Sequence, residues 1–561
     1  MKKTERRNFI KTGILAGVGG SLASFTSDTK QKVQEENNSN LPIGETTGTI
    51  TLLQSTDVHC QIHPHDELYW ENEELTFRKS GGYAHLATLI KQVQKANPNT
   101  ITIDTGDMFQ GSELSDKTQG QALLPILNEI NYDVYAPGNW EVIYYKDKMQ
   151  KLLGGLKAPK VCANMYHDLG EGKRGELIFQ PYHIVTKLGV KIGFLGYTDH
   201  LVPKRQPPAL SKGITYTKPD ENIKYYVNVL KEQEQCDFII ILSHLGLSQQ
   251  LALANNEECE GVDYIFGGDT HERIRKPIQC KYAKVVEPGA FGSFVGRLDL
   301  KVKNGKIIKE TYELLEVDPK KYTADKTVSK IIKENEKPYL DSINTVLGHS
   351  TLPLYRNFVI ENTMDTMIIE ALKWKTGVDI ALSNGFRFCP PRTPNADGLV
   401  PITQGYLFDM LPVNSPVRIG KIKGKSIKPW LERELENVFA KDASRRFGGW
   451  IVKFQGMTLT FNAFEPLGEK VVDVKIAGQD IDPDKYYTIC ACEREGDPDD
   501  VLCRLKDVEG AYSEKYTLHD AVKDYLAAHS PVTPTPQGNI KILDGDQKLL
   551  SQVWGVDYTF R

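Results

Sequence analysis

The sequence predicts a layered α/β domain with a substantially parallel sheet, followed by a second α/β domain, and three observations predict this. Short runs rich in β-branched residues recur at 49–53, 100–103, 190–195, 238–242 and 264–266, with longer helix-like segments such as Tyr83–Lys95 and Gln121–Glu129 between them. Strands that alternate with helices build parallel sheets covered by helices. At 561 residues the chain exceeds what one core fills, since domains run to roughly 100–200 residues, so two substantial domains are expected. A lysine-rich stretch, DPKKYTADKTVSKIIKENEK, lies between the two halves and reads as a connecting helix over 319–338.

The elements follow in order. Residues 1–27 carry Arg6-Arg7-Asn8-Phe9-Ile10-Lys11 and then a short uncharged Gly/Ala/Leu-rich stretch, the layout of a secretory signal; the paired arginines resemble a twin-arginine export signal. About 14 mildly apolar residues are too few to cross roughly 30 Å of hydrocarbon, so no stable membrane span is expected after signal cleavage, and an exported, periplasmic protein is. Residues 28–47 are polar and aperiodic, a disordered linker. The first folded domain is assigned to 48–318 and the second to 339–545. The second contains a helix around Met364–Lys375 and β-rich text at Lys453–Phe461, and 546–561 form a tail.

Composition is that of a soluble globular protein, and a formal net charge of -4 gives no basic surplus with which to hold a nucleic-acid polymer. Nine cysteines are scattered without CxxC spacing, which excludes a zinc ribbon and leaves no legible disulfide framework, although a single bridge is compatible with them.

The strands of the first half share a habit: each ends in Asp, His or Asn beside small residues. These ends are Asp57-Val58-His59, Asp104-Thr105-Gly106-Asp107, Pro137-Gly138-Asn139, Ser243-His244 and Gly267-Gly268-Asp269-Thr270-His271. Carboxyl ends of strands in an α/β sheet open onto one crevice, so groups more than 200 residues apart can converge there. Oxygen and imidazole donors of this kind suit Mn²⁺, Zn²⁺, Fe²⁺ or Mg²⁺, and a carboxylate in a Gly-containing turn, such as Asp107, can bridge two ions. Taken singly, each residue reads as a cap, a turn or an ordinary histidine; the series of five carries the inference.

In order and spacing, DVH, GDMFQGS, GNWE, SHLG and GGDTHER resemble the successive motifs of the calcineurin-like metallophosphoesterases, and specifically the exported 5′-nucleotidases. IALSNGFRF and MLPVNSPV resemble that family's substrate-binding domain, and the similarity spans about 48–545. The resemblance implies a four-layered αββα metallophosphoesterase domain, an α/β 5′-nucleotidase-type C-terminal domain, and an active site between them. By position, Asp57, His59, Asp107 and His271 would hold one divalent metal, and Asp107, Asn139, His244 and Asp269 the other. Asp269 stands where an imidazole is usual and favours a harder ion, manganese. The implied substrate is a small phosphate ester hydrolysed by metal-activated water.

A second departure bears on the chemistry. GNHE is GNWE here, so Trp140 replaces a histidine that assists the transition state or leaving group, and indole cannot donate as imidazolium does. Asn139, Trp140 and Arg387 are the candidate catalytic residues; Arg356, Asn384 and Arg387 are the candidate substrate contacts, the arginines because guanidinium matches two oxygens. The tryptophan, GGYAHLATLIK and TLPLYRNF look closer to the thiosulfohydrolase branch of the superfamily, which works on a sulfur group held by a carrier protein. That supplies the alternative reading, with a sulfur-carrier partner; a metal-binding protein impaired by Trp140 is the third. His63 and His65 read as solvated loop residues.

Overall fold

The computed structural model describes residues 47–72, 74–384 and 389–550. The expected signal, nearly all of the linker, Arg387 and most of the tail lie outside them.

Two sheets form the first domain. One runs, edge to edge, through Lys306–Glu316, Phe294–Lys303, Thr47–Ser55, Thr100–Asp104 and Val134–Tyr135, with the last three parallel. The other contains Val190–Thr198, Phe238–His244, Tyr264–Gly267 and Lys284–Val286 in parallel, flanked by antiparallel Tyr182–Lys187 and Ile278–Gln279. The expectation of parallel strands therefore holds at the centre of each sheet, and the edges depart from it. Asn304-Gly305 and Leu188-Gly189, each pair with positive φ, make the two-residue turns that fold edge hairpins back.

The apolar runs have partners on both faces, as buried central strands require. Leu52, Ile101 and Ile103 of one sheet pack with Phe194, Ile240 and Phe266 of the other. Helix Tyr83–Ala96 covers the outer face of the first sheet with Leu86, Leu89 and Ile90. Val227, Leu230 and Leu251 cover the second. The layers are α, β, β and α, as the resemblance implies.

Two helical expectations shift. Gln121–Glu129 divides into the tight turn Gln121–Leu123 and the helix Leu124–Ile130, because Pro125, with no N–H to donate, fits only a first helical turn. The connecting helix is shorter than 319–338. It starts at Lys326, where the Asp325 side chain accepts from the N–H groups of Thr327 and Val328, and runs to Glu336.

In the second domain a five-stranded sheet carries Lys453–Gln455, Ile380–Ser383, Tyr486–Cys492, Pro416–Lys423 and Glu509–Thr517 in that order. The expected helix is Thr363–Thr376, capped by the Asn362 side chain and ended by Gly377 at φ 67°. No helix among the described residues is long and apolar enough to cross a membrane.

Candidate metal centre

Because two stacked sheets end at the same edge, the candidate ligands come from both. Asp57, His59, Asp107 and Asn139 follow strands of the first sheet; His244 ends Phe238–His244 and Asp269 and His271 follow Tyr264–Gly267 in the second. One Asp57 oxygen lies 3.8, 3.6 and 3.4 Å from Nε2 of His59, His244 and His271. Asp107 Oδ2 lies 3.7 Å from His59 Nε2 and 3.2 Å from His244 Nε2, so it faces both sides of the cluster. Asp57, His59 and His271 form one group with the spacing of metal ligands, and Asp57, Asp107 and His244 form another.

Local backbone explains the close approach. Asp57, His59, Asp107, Asp269 and His271 all have φ between 49° and 85°, the left-handed region that side-chain-bearing residues avoid. Such strain concentrates at functional sites. It is held by neighbours: the Asp269 N–H donates to both Asp57 oxygens and the Trp140 N–H donates to Asp107 Oδ1 at 2.8 Å. At Gly138 a β-carbon would sit 2.2 Å from Asp107 Oδ1, so only glycine lets that turn reach the carboxylate.

The hydrogen bonds behind the histidines fix their tautomers. Nδ1 of His244 is 2.6 Å from the Thr105 carbonyl and Nδ1 of His59 is 3.1 Å from the Gln110 carbonyl; a carbonyl only accepts, so each Nδ1 carries the proton. The two Nε2 atoms are therefore the ring nitrogens that face the carboxylates. His244 Nε2 and Asn139 Oδ1 are buried without a hydrogen-bond partner, which is costly unless a cation lies between such groups. Burial pushes His59 down to about 4 against the pull of Asp107. His244 goes the other way: burial lowers it, but Asp107 and Asp57 raise it well above the usual histidine range. An excess of buried carboxylate calls for positive charge, and the donor set of carboxylates, imidazole nitrogens and an amide oxygen fits divalent ions, which would take the place of the proton that the carboxylates draw onto His244.

Asp269 lies beside the other expected ligands and is itself held by donors. Its Oδ1 accepts from Asn139 Nδ2 at 2.7 Å and its Oδ2 from Arg205 Nη1 at 3.0 Å, with Asp199 Oδ2 3.2 Å from the same nitrogen. Both oxygens already have donors.

The cluster opens into a cavity of about 110 Å³ lined also by Trp140, Arg205, Asn384, Phe447, Arg494 and Arg504. A second cavity adjoins it through Trp140, Arg205, Asn384 and Arg494, and its far wall is aliphatic: Ile368, Leu372, Leu382, Leu411, Pro412, Val413 and Leu518. Arg356 reaches the wall of this second cavity with its guanidinium already engaged: Nε is 3.1 Å from Asp365 Oδ1 and Nη1 donates to the Met410 carbonyl at 2.6 Å. Asn384 lines both cavities, and its carbonyl accepts from Arg504 Nη2 at 3.2 Å. His63, 60% exposed, pairs with Glu336, as a surface loop residue does. His65 is not solvated as expected: its side chain is 11% exposed and Nε2 meets Ser293 Oγ at 3.0 Å.

Sequence reasoning missed Arg205, Phe447 and Arg504. Both guanidiniums stand 5.4 Å from the Phe447 ring centroid. Arg205 ends the single helical turn Val202–Arg205, and Phe447 and Arg504 lie in loop and turn, where neither periodicity nor motif marks them.

Residues 50–273 match the calcineurin-like phosphoesterase family and residues 344–493 the 5′-nucleotidase C-terminal domain. The endonuclease YhcR of Bacillus subtilis is 25% identical over 78% of this chain, which spans about a third (36%) of that longer protein. A 5′-nucleotidase of Vibrio parahaemolyticus is 22% identical over 94% of this chain and 96% of its own length. Among solved structures, the sulfate thiohydrolase SoxB of Thermus thermophilus has a TM-score of 0.80 at 22% identity, covering 89% of this chain and 98% of that one. The chain thus joins a calcineurin-like phosphoesterase domain to a 5′-nucleotidase C-terminal domain.

Proposed function

We propose that the chain is an exported, dinuclear metal-dependent phosphoric ester hydrolase of the 5′-nucleotidase type, acting on nucleotides or related phosphate esters. The observation that carries this reading is the buried gathering of Asp57 and Asp107 around the Nε2 atoms of His59, His244 and His271, in two groups with the spacing of metal ligands, beside an unpartnered Asn139 Oδ1. In this reading Asp57, His59, Asp107 and His271 hold one ion, Asp107, Asn139 and His244 hold the other, and manganese is the ion of choice. Asp269 acts one step back: by taking the Asn139 N–H₂ group it leaves the amide oxygen for the ion, and Arg205 balances its charge. Divalent ions at this place lower the pKa of water and neutralise the oxygens of an in-line displacement. The chain supplies the rest. Arg205, Arg494 and Arg504 line the cavity as anion contacts, with Asn384 beside them and Arg387 as a further candidate, while Trp140 walls the centre from solvent. Arg356 is assigned to holding the second domain together. The leader at 1–27, of twin-arginine type, is assigned to export to the periplasm.

One observation favours the second reading, thiosulfohydrolase-like release of a sulfur oxyanion from a carrier protein. Trp140 is the sole aromatic ring among the described residues lining the second cavity, whereas a nucleobase is held best between two rings. An aliphatic wall suits a slender leaving group. A substrate panel on the manganese-loaded chain separates the two: turnover of AMP or an aryl phosphate supports the first reading, and a phosphate-inert chain that frees sulfate from a thiosulfonated cysteine replaces it with the second.

A further inference from the structure

Cys492 closes the strand Tyr486–Cys492. Cys503 lies 11 positions on, in a tight turn whose ends, Leu502 and Leu505, exchange two backbone hydrogen bonds of 2.9 Å. Cys503 and Arg504 are the central residues of that turn, with φ of 47° and 69°. Such turns favour glycine or asparagine at both positions, so a cysteine and an arginine are kept there against backbone preference. The turn brings Cys503 Sγ to 3.9 Å from Cys492 Sγ. Cys503 lines the cavity of the metal centre and Cys492 the adjoining aliphatic one, so the two sulfurs stand in the partition between them.

Each cysteine neighbours a cavity arginine. Arg494, two residues beyond Cys492, reaches across to the first domain, where its Nη2 donates to the carbonyls of Lys204 at 2.8 Å and Gln206 at 2.6 Å. Arg504 donates from Nη2 to the Asn384 carbonyl and pairs with Glu434 at 2.9 Å. Between the cysteines, 493–502 contain no helix or strand; the segment is held by its turns and by single contacts such as Arg418 Nη2 to the Asp499 carbonyl and the Ala209 N–H to the Glu495 carbonyl.

We propose that Cys492 and Cys503 are an oxidisable dithiol whose disulfide clips the segment 493–502 and fixes Arg494 and Arg504 against the cleft. The oxidant is a small-molecule or protein disulfide. The Cys492 thiolate attacks one of its sulfurs and expels a thiolate; the Cys503 sulfur then attacks Cys492 Sγ and expels the second, and the two protons lost by the cysteines end on the released thiols. Hydrogen bonding from the neighbouring Cys503 thiol, aided by Arg494, holds Cys492 below the usual thiol range, which suits it to attack first. Side-chain rotation brings the sulfurs to a bonding distance of about 2 Å.

The test uses the full chain and does not depend on which substrate it hydrolyses. Wild type equilibrated with oxidised glutathione, then denatured and alkylated, is expected to yield a peptide pair joined through Cys492 and Cys503, lighter by two hydrogens than the reduced pair; Cys492→Ser and Cys503→Ser yield none. Native oxidised protein is expected to be cut within 493–502 about tenfold more slowly than reduced protein under limiting protease, because cleavage follows local opening. Alkylation of both thiols after oxidation overturns the proposal, as does a linked pair with equal cleavage in the two forms. The comparison of oxidised with reduced wild type needs no variant to fold.

Discussion

At the strand ends of the first domain Asp57 and Asp107 face imidazole Nε2 atoms, whereas in the second domain Arg356 and Lys453 flank Asp365, which also accepts from Ser383 Oγ and Asn362 Nδ2. Both clusters are buried. One holds its carboxylate between two protein cations, although Lys453 Nζ itself has no hydrogen-bond partner; the other pairs its carboxylates with histidines. Buried charge is expensive, so a chain keeps an unmatched cluster only where something else completes it. The matched cluster marks structure and the unmatched one marks function, and this difference reassigns Arg356 from anion contact to internal partner.

Four substitutions probe the contrast. Arg356→Ala strips Asp365 of its nearest cation and is expected to cost about 3–5 kcal/mol of stability, read as a lowered urea midpoint, while metal content of the folded protein stays at the wild-type level. A metal loss without destabilisation would reverse the assignment. Gly138→Ala acts on the other cluster: its β-carbon displaces the Asp107 carboxylate, and hydrolysis should fall about 10²-fold in a chain whose circular dichroism is unchanged. Asp269→Asn is milder. If Asp269 positions Asn139 rather than ligating, the variant keeps its metal content and loses about tenfold in rate; loss of an ion would make Asp269 a ligand after all.

The smallest effect is a pH dependence confined to the matched cluster. Burial pushes Lys453 down to about 8 from 10.5, against the pull of Asp365. Between those values the unfolded chain binds the proton that the folded chain has released, so unfolding free energy rises with pH across that window. Wild type should gain on the order of 1–3 kcal/mol over Lys453→Met from pH 8 to pH 10.5 in parallel urea titrations. Parallel curves would remove Lys453 from the account.

The same contrast explains what was legible. Asp57, His59, Asp107, Asn139, His244 and His271 each follow a strand within a few residues, beside a glycine or a tight turn, so local pattern locates them and sheet geometry gathers them. Even there, sequence cannot reveal that Arg205, 64 residues earlier, holds the second oxygen of Asp269. The cleft wall was harder. Arg205, Phe447 and Arg504 come from a single helical turn, a loop and a tight turn of the two domains, so no spacing announces them. The four layers followed from the resemblance, while the antiparallel edges and the helix break at Pro125 lay in short signals that the coarse strand and helix pattern passed over.

Metal content tests the central claim most directly. Wild type loaded with Mn²⁺ and desalted is expected to carry two ions per chain by mass spectrometry, and Asp107→Ala, lacking a carboxylate that lies within 3.7 Å of His59 Nε2 and 3.2 Å of His244 Nε2, to carry far fewer while remaining folded. Wild type that retains no ion, or an Asp107→Ala chain that retains both, would contradict it.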